Sequence, residues 1–512
     1  MPVNFPLVLK QLDTKNYPQQ ELRDFFKEAG LYIILMKYQA GSQYTKKLMA
    51  RILQDETLFD KIIFPEEEKE QKILTKLFDK EDFKLLLSQA IKNNYKFVAE
   101  KLNNFYESNK EQYEHYIKVI ISLISEQDSD TSLNIVNAIS KMLSKEIIKF
   151  TKDEIFIALL QEGMEHKDDI IRMRYMEIVM EVSNSSEEAH NFLQSKQILD
   201  KCIQQVVTDD ILLRLAAVEV ISKMGNKKYN SKFLAEHEQM KKIISDAFNP
   251  KEELYVKKYL ALLISKLLSN GTMELSVHMR NNFINLLTQL FFEGQEEGFY
   301  AAMDIISHLV QTQEGINLVI SKEEIFTAYM SMGESTKEQI RMKFIGSFAS
   351  FFQKNPFSEK SHKVLSNCMI CFGNLKKVHL TIDFHQAPQT LDDLQPAMDK
   401  IFNLLYQPFP EQEIELLYLI RNIISWEILC KRFIGHQKVL DYLTLNFAKN
   451  GEILDMKQTI IKELLDLCEN VFNKEHVVFK KFAETLKKAL AEAKEKQKEK
   501  RLQEMEYGIS NL

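Results

Sequence analysis

Glycine and proline are scarce in this chain. It has 14 glycines and 10 prolines among 512 residues, together about 5% of the chain against roughly 12% in average proteins. Sandwiches, propellers and doubly wound folds place these residues at their frequent turns, so the scarcity excludes those folds. A chain of long helices joined by short loops is compatible with it.

Cysteine and long apolar runs are scarce as well. The five cysteines are few and odd in number, which suits a reducing compartment. No run of about 18 apolar residues occurs, so no membrane span is expected. The first residues lack the basic and apolar segments of a signal peptide. We therefore expect a cytoplasmic protein, with the nucleus left open as a second compartment.

The charge balance excludes a general attraction to nucleic acid. The chain has 67 basic and 73 acidic residues and a net charge of −6, so its overall field repels phosphate backbones. With 45% apolar and 27% charged residues, the composition is that of a folded globular protein. The composition therefore argues against wholesale disorder, and the charge leaves at most a local basic patch for nucleic acid.

A period of about 42 residues runs through the sequence. Pairing Arg172 with Arg214 brings Glu177 onto Glu219, and Ile340-Arg341 repeats Ile171-Arg172 four periods later. Apolar positions follow in the same register: Val136, Ile178, Val220, Leu262 and Ile305. This period is typical of HEAT and armadillo repeats. We predict an all-α, right-handed α-solenoid of HEAT/armadillo-like two-helix repeats, roughly eleven in number.

Each repeat begins its second helix in the same way. Aspartates precede the helices at Asp168 and Asp209-Asp210, where a carboxylate can cap the first free N–H groups. We expect Arg172 and Arg214 to be structural and to bond an aspartate or a carbonyl across the repeat interface. Because one helical hairpin cannot bury both apolar faces, stacked neighbours must share a core.

The repeats set the expected domain organisation. An N-terminal extension occupies residues 1–20, and repeats fill 21–375. An irregular connection at 376–397 leads to C-terminal helical repeats at 398–486. A charged helical tail with a disordered end follows at 487–512.

No constellation predicts catalysis. The chain lacks a Gly-x-Ser-x-Gly elbow and a phosphate-binding loop, so we expect no catalytic residue, no cofactor and no enzyme activity. Cys368 and Cys371, followed by His379 and His385, have a spacing seen in zinc sites. The sequence favours the alternative, two buried cysteines on a helix, and we expect no metal. Trp426 is expected in the core.

A charged stripe follows the second helices. Steps of 100° bring Arg174, Glu177 and Glu181 to one side of their helix, opposite the apolar arc. Equivalent positions extend the stripe, and His308 is expected at the surface. The candidate partner-binding residues are Arg174, Glu177, Glu181, Glu219, Lys223, Lys258, Asp304, His308 and Lys343. A groove of mixed charge and an ordinary solvated face both fit this pattern.

Residues 170–225 resemble the non-ATPase regulatory subunit 5 family of the 26S proteasome. The matching segments are Ile171–Ser183, Asp210–Arg214 and Val218–Val220. The turn Gln407-Pro408-Phe409-Pro410-Glu411 is similar to a turn that the family places before a helix. The resemblance extends over most of the chain, from about residue 20 to about residue 470.

The resemblance implies an assembly chaperone of the proteasome regulatory particle base. Members of the family hold C-terminal domains of base ATPase subunits, together with the largest non-ATPase base subunit, and are absent from the finished proteasome. The chain itself would be a monomer when alone. A generic HEAT/armadillo scaffold of the transport-adaptor or phosphatase-regulatory type is the alternative.

Overall fold

The computed structural model describes residues 19–40, 43–64, 68–78, 80–144, 154–208, 210–249, 252–292, 295–356, 358–374, 384, 390–407, 409–444, 451–472 and 477–491. Most of the predicted N-terminal extension, most of the predicted connection and the end of the tail lie outside these ranges. The chain divides into two compact units, Met1–Asn230 and Ser231–Leu512. Neither unit contains a β-strand within the ranges given above.

The first unit is a succession of helices. They are α1 (Gln19–Ala29), α2 (Leu31–Gln39), α3 (Gln43–Ile52), α4 (Glu56–Ile63), α5 (Glu68–Leu77), α6 (Glu81–Asn93), α7 (Tyr95–Ser108), α8 (Lys110–Ser122), α9 (Ser129–Ser144), α10 (Glu154–Met164), α11 (Asp169–Ser185), α12 (Glu187–Ser195), α13 (Ile198–Gln204) and α14 (Ile211–Met224). Short 3₁₀ turns occupy Leu123–Ser125 and Gln205–Val207.

The second unit continues in the same style after α15 (Lys228–Glu236), in which the boundary falls. Its helices are α16 (Glu238–Asp246), α17 (Leu254–Ser269), α18 (Val277–Phe292), α19 (Glu296–Leu309), α20 (Gln313–Ile320), α21 (Glu323–Ser331), α22 (Glu338–Phe352), α23 (His362–Gly373), α24 (Gln395–Leu405), α25 (Pro410–Ile424), α26 (Glu427–Ile434), α27 (Val439–Thr444), α28 (Gly451–Asp466) and α29 (477–491). Helix α24 begins slightly before the predicted boundary at 398, after a 3₁₀ turn at Leu391–Leu394.

Within each unit, the last helix of a repeat packs against its counterpart in the next repeat, and we call these the stacking helices. In the first unit they are α6, α9, α11 and α14, and in the second they are α17, α19, α22, α25 and α28. The predicted all-α solenoid of HEAT/armadillo-like repeats is confirmed. Several repeats add a short helix before the predicted pair, as α12 and α20 do, which is the three-helix armadillo variant.

Aspartates start α11 and α14 as predicted. The Asp168 carboxylate accepts the N–H groups of Ile170 at 2.8 Å and Ile171 at 3.3 Å. Asp210 accepts the N–H of Leu213 at 3.0 Å. Each cap satisfies a donor that the helix itself leaves without a partner.

The apolar register of the sequence also forms the core. Val136, Ile178, Val220 and Ile305 are all buried. Leu262, in the same register, is only half-buried and lines a surface pocket. The period therefore predicts which positions face a neighbouring repeat, with Leu262 as an exception.

Polar side chains join neighbouring repeats at the same spacing. Lys84 Nζ donates to both carboxylate oxygens of Glu126 at 2.8 Å, 42 residues away. Arg421 pairs with Glu463, also 42 residues away, through three bonds of 2.6–3.0 Å. The period seen in the sequence is therefore the distance along the chain between facing positions of adjacent repeats.

Two arginines of the repeat motif hold the loop before their own helix. Arg341 Nη1 donates to the carbonyls of Ser335 at 2.7 Å and Thr336 at 3.1 Å. Arg172, four periods earlier, donates to the carbonyls of His166 and Lys167 in the same way. The structural role predicted for Arg172 is confirmed, and Arg341 shares it. The carbonyls belong to the same repeat, whereas Arg172 Nε reaches the next repeat and donates to Gln205 Oε1 at 3.3 Å.

We predict that Arg341→Ala destabilises the protein by about 1–3 kcal/mol, because two carbonyls lose a charged donor. Calorimetry should show a lower Tm than for the wild type. Arg280→Ala is the matched control, since Arg280 is exposed on α18. Equal melting of the two variants would contradict the assignment.

Candidate partner-binding surface

In the first unit, the candidate residues lie on two adjacent stacking helices. Arg174, Glu177 and Glu181 belong to α11, and Glu219 and Lys223 belong to α14. The two helices pack against each other, so the structure brings these five residues to neighbouring helices as expected. Three of the five, however, bind partners within the protein and so are not free to contact another molecule.

Arg174 is engaged inside the protein. Its Nη1 donates to the carbonyls of Ile124 at 2.7 Å and Glu126 at 2.8 Å, in the turn before α9 of the preceding repeat. The side chain is half-buried. The expectation of an open charge is corrected here: Arg174 joins two repeats, which is the role that the sequence predicts for Arg172 and Arg214.

Glu177 and Lys223 neutralise each other across two repeats. Lys223 Nζ lies 3.3 Å from a Glu177 carboxylate oxygen. Glu181 and Glu219 are exposed, and within the described ranges neither forms an ion pair. The uncompensated charge of this stripe is therefore acidic, and it is carried by these two residues.

In the second unit, Asp304 and Lys343 form an ion pair between α19 and α22. Lys258 lies on aromatic rings instead, with Nζ 4.7 Å from the centroid of Tyr255 and 5.1 Å from that of Tyr259. Such contacts hold a cation without a carboxylate partner. Mixed charge is thus present in this unit too, but all three of these charged side chains are engaged in internal contacts.

A pocket of about 250 Å³ opens beside these residues. Its lining combines two acids, one lysine, two tyrosines and two aliphatic residues: Lys258, Tyr259, Leu262, Glu297, Tyr300, Ala301 and Asp304. It lies between α17 and α19 within the second unit. The pocket explains why Leu262 is not fully buried.

His308 differs from the expected surface residue. It is half-buried, and burial together with nearby Lys266 and Lys343 lowers the pKa of His308 to about 3. The imidazole is therefore neutral at physiological pH. Its surroundings make it part of the packing between stacking helices rather than an open contact.

The polar clusters of the core have structural explanations. Ser183 Oγ lies 3.1 Å from His190 Nδ1, but it donates to Asn230 Oδ1 at 2.7 Å. All three residues are buried, so this pair is unlike an accessible nucleophile and base.

The Trp426 side chain is buried as expected, and its Nε1 donates to the Phe352 carbonyl at 2.6 Å.

Cys368 and Cys371 lie on α23 and are fully buried, which confirms the interpretation as core residues. Burial and the neighbouring Cys371 raise the pKa of Cys368, so its thiol stays protonated. His379 and His385 lie outside the described residues. Within the described ranges, no three His, Cys, Asp or Glu side chains come together as a metal site would require.

Apolar residues at the starts of α11 and α14 were not among the candidates. Ile170 and Leu212 are both exposed, and each stands two positions after its capping aspartate. The signal was present in the sequence, since the two positions are 42 residues apart.

None of the described helices combines the length and apolarity that a bilayer span requires.

Comparison with known families identifies the class of protein. Residues 108–493 match the sequence profile of the family described as proteasome non-ATPase 26S subunit. The matched region spans most of the chain, from α7 to the end of the described structure, and the chain belongs to this family. No curated protein matches the sequence.

Solved structures of helical repeat proteins are similar only in outline. UNC-45 from Drosophila melanogaster matches with a TM-score of 0.43 and 11% identity, over 93% of this chain and 69% of that one. A designed armadillo repeat protein matches with a TM-score of 0.32 and 14% identity, over 52% of this chain and 98% of that one. The fold assignment rests on the helix order and packing described above.

The environment of His308 predicts a pH effect on stability. Below about pH 6.5 the unfolded chain takes up a proton on this histidine that the folded protein does not bind until about pH 3. Folding is therefore penalised increasingly as the pH falls through that window. We expect the Tm of His308→Gln to fall less than that of the wild type when the pH is lowered from about 7.5 to about 5.

His190 serves as an internal reference, because burial also lowers its pKa and it remains in the variant. The pH dependence should therefore weaken without vanishing. Parallel Tm profiles for the wild type and His308→Gln would show that His308 titrates normally in the folded protein.

Proposed function

We propose that this chain is an assembly chaperone of the proteasome regulatory particle base, of the subunit 5 type. In this proposal it binds C-terminal domains of base ATPase subunits, with the largest non-ATPase base subunit as a further partner. Its role is binding rather than catalysis. The observation that carries the proposal is the family match over residues 108–493.

The stacking helices support a protein partner. Stacked repeats offer an extended row of side chains from successive helices, which suits recognition of a folded domain. On α11 and α14 the acids Glu181 and Glu219 remain exposed. Exposed charges mainly speed encounter and select the partner.

Weak individual contacts fit a chaperone that must release its client. An exposed ion pair is worth about 0–1 kcal/mol, so a competing assembly surface can displace the client without an energy source. A generic HEAT/armadillo scaffold of the transport-adaptor or phosphatase-regulatory type is the second candidate. It shares the fold but predicts different partners.

Affinity purification from native lysate separates the two candidates. We expect base ATPase subunits to be recovered with the protein, without the 20S core particle. Purified ATPase C-terminal domains should then bind the protein directly. Recovery of phosphatase or transport components in their place would refute the chaperone proposal. Recovery of complete 26S particles would instead make the chain a resident subunit.

The contribution of the exposed acids can be tested by charge reversal. We predict that Glu181→Lys/Glu219→Lys weakens binding of an ATPase C-terminal domain several-fold at low salt. The effect should shrink at high salt, because exposed charges are screened beyond roughly 8 Å at physiological ionic strength. Glu177 belongs to the same stripe but is left unchanged, since its reversal would break the pair with Lys223.

The matched control is Glu100→Lys/Glu107→Lys. Both residues are exposed on α7 in the same unit, so the net charge changes equally at a different place. Calorimetry should show similar Tm values for both double variants. If the two variants bind the ATPase domain equally, Glu181 and Glu219 do not belong to the interface.

We also propose that the protein works in the cytoplasm, with the nucleus as a second compartment. Proteasome base assembly requires it to meet its clients before they join the complete particle. Imaging of a fluorescent fusion tests this directly, and confinement to an organelle lumen would contradict it.

A further inference from the structure

The starts of two adjacent stacking helices form an exposed apolar patch in the first unit. Leu212 is 77% exposed, Ile170 65%, Val207 59% and Ile211 50%. Leu212 and Ile211 begin α14, Val207 ends the 3₁₀ turn before it, and Ile170 is the second residue of α11. We call these four residues the apolar ridge. Since α11 packs against α14, the ridge extends across two repeats.

The apolar ridge and the exposed acids share the same helix faces. Glu181 follows Ile170 by 11 residues, and Glu219 follows Leu212 by seven. On a helical wheel, Glu181 lies within about 20° of Ile170 and three turns further along, and Glu219 lies within about 20° of Leu212 and two turns further along. Each helix therefore presents an apolar residue at its start and an acid toward its end on one face.

Basic side chains of these helices are occupied by internal partners. Arg172 bonds the His166 carbonyl, Arg174 bonds the Ile124 carbonyl, and Lys223 pairs with Glu177. Around the ridge, Glu181 and Glu219 and the capping Asp168 and Asp210 are exposed and form no ion pair in the described structure, and Lys167, in the loop before α11, is an exposed base. Negative charge therefore remains in excess. The surface therefore presents apolar contact area together with uncompensated negative charge.

We infer that the apolar ridge binds an amphipathic helix of a partner protein that carries lysine or arginine along one flank. Packed helices lie about 8–10 Å apart, and seven residues of a helix span about 10.5 Å. A partner helix crossing α11 and α14 can thus place apolar residues i and i+7 on Ile170 and Leu212. Its basic flank then faces Glu181 and Glu219.

The charge of the surface decides between possible occupants. Anionic lipid headgroups and nucleic acid phosphates would be repelled by the exposed acids, whereas a basic amphipathic helix is attracted. Apolar residues at i and i+7 are also a common way for a helix to enter a groove. The inference deepens the proposed function, because it gives the chemistry of the client segment that this surface would hold.

A synthetic peptide tests the chemistry without any natural partner. The probe is a labelled amphipathic helical peptide with leucine at i and i+7 and lysine along one flank. Its counterpart has glutamate in place of every lysine. Fluorescence anisotropy at low salt should show binding of the lysine peptide, with the glutamate peptide at least about tenfold weaker. Equal binding of both peptides would overturn the inference.

Two sets of variants locate the site. Ile170→Ser/Leu212→Ser should lower the affinity for the lysine peptide at least about tenfold, at low and at high salt. Glu181→Lys/Glu219→Lys should lower this affinity chiefly at low salt. The control Val277→Ser/Phe292→Ser removes equally exposed apolar residues from α18 in the second unit, and it should bind like the wild type. Unchanged binding by the ridge variant would overturn the inference.

The same reagents separate this inference from the proposed function. Peptide binding without binding of any ATPase C-terminal domain supports the surface and refutes the chaperone proposal. Binding of an ATPase domain that is unaffected by Ile170→Ser/Leu212→Ser, with no peptide binding, overturns the inference and leaves the proposed function standing. Circular dichroism melts of all variants confirm that these exposed substitutions leave the fold intact.

Discussion

Helix ends are the constraint on which this structure depends. The last carbonyls of a helix have no partner within it, and here side chains of adjacent repeats supply the donors. Arg174 donates to the carbonyls of Ile124 and Glu126, Asn422 donates to that of Ala349 at 2.9 Å, and Trp426 donates to that of Phe352. Because these donors come from tens of residues away, a repeat removed from the stack would lose carbonyl partners as well as core contacts.

The same constraint decides which charges remain for a partner. Long basic side chains that reach a neighbouring helix end or acid, such as Arg174 and Lys223, are consumed inside the unit. Glu181 and Glu219 form no ion pair within the described ranges and remain at the surface. Exposed pairs such as Glu177 with Lys223 contribute little stability. Their main consequence is that they determine the sign of the charge that is left.

The sequence predicts the repeat, its caps and its core because these depend on local periodicity. Asp168 and Asp210 cap their helices, and Ile178 and Val220 are buried as the 42-residue register requires. The partners of long side chains depend on how one repeat is placed on the next, which periodicity does not contain. For this reason the roles of Arg174 and His308 differ from expectation, and so does the half-exposed position of Leu262.

An apolar ridge beside uncompensated acids would combine two functions that a temporary binder needs. Burial of apolar area, at roughly 25 cal/mol per Å², provides affinity that salt does not remove. The acids speed encounter and reject acidic competitors, but each adds little to the final affinity. A client held mainly by a small ridge dissociates readily once a larger interface competes for it. On this argument the modest size of the exposed patch favours transient binding over permanent assembly.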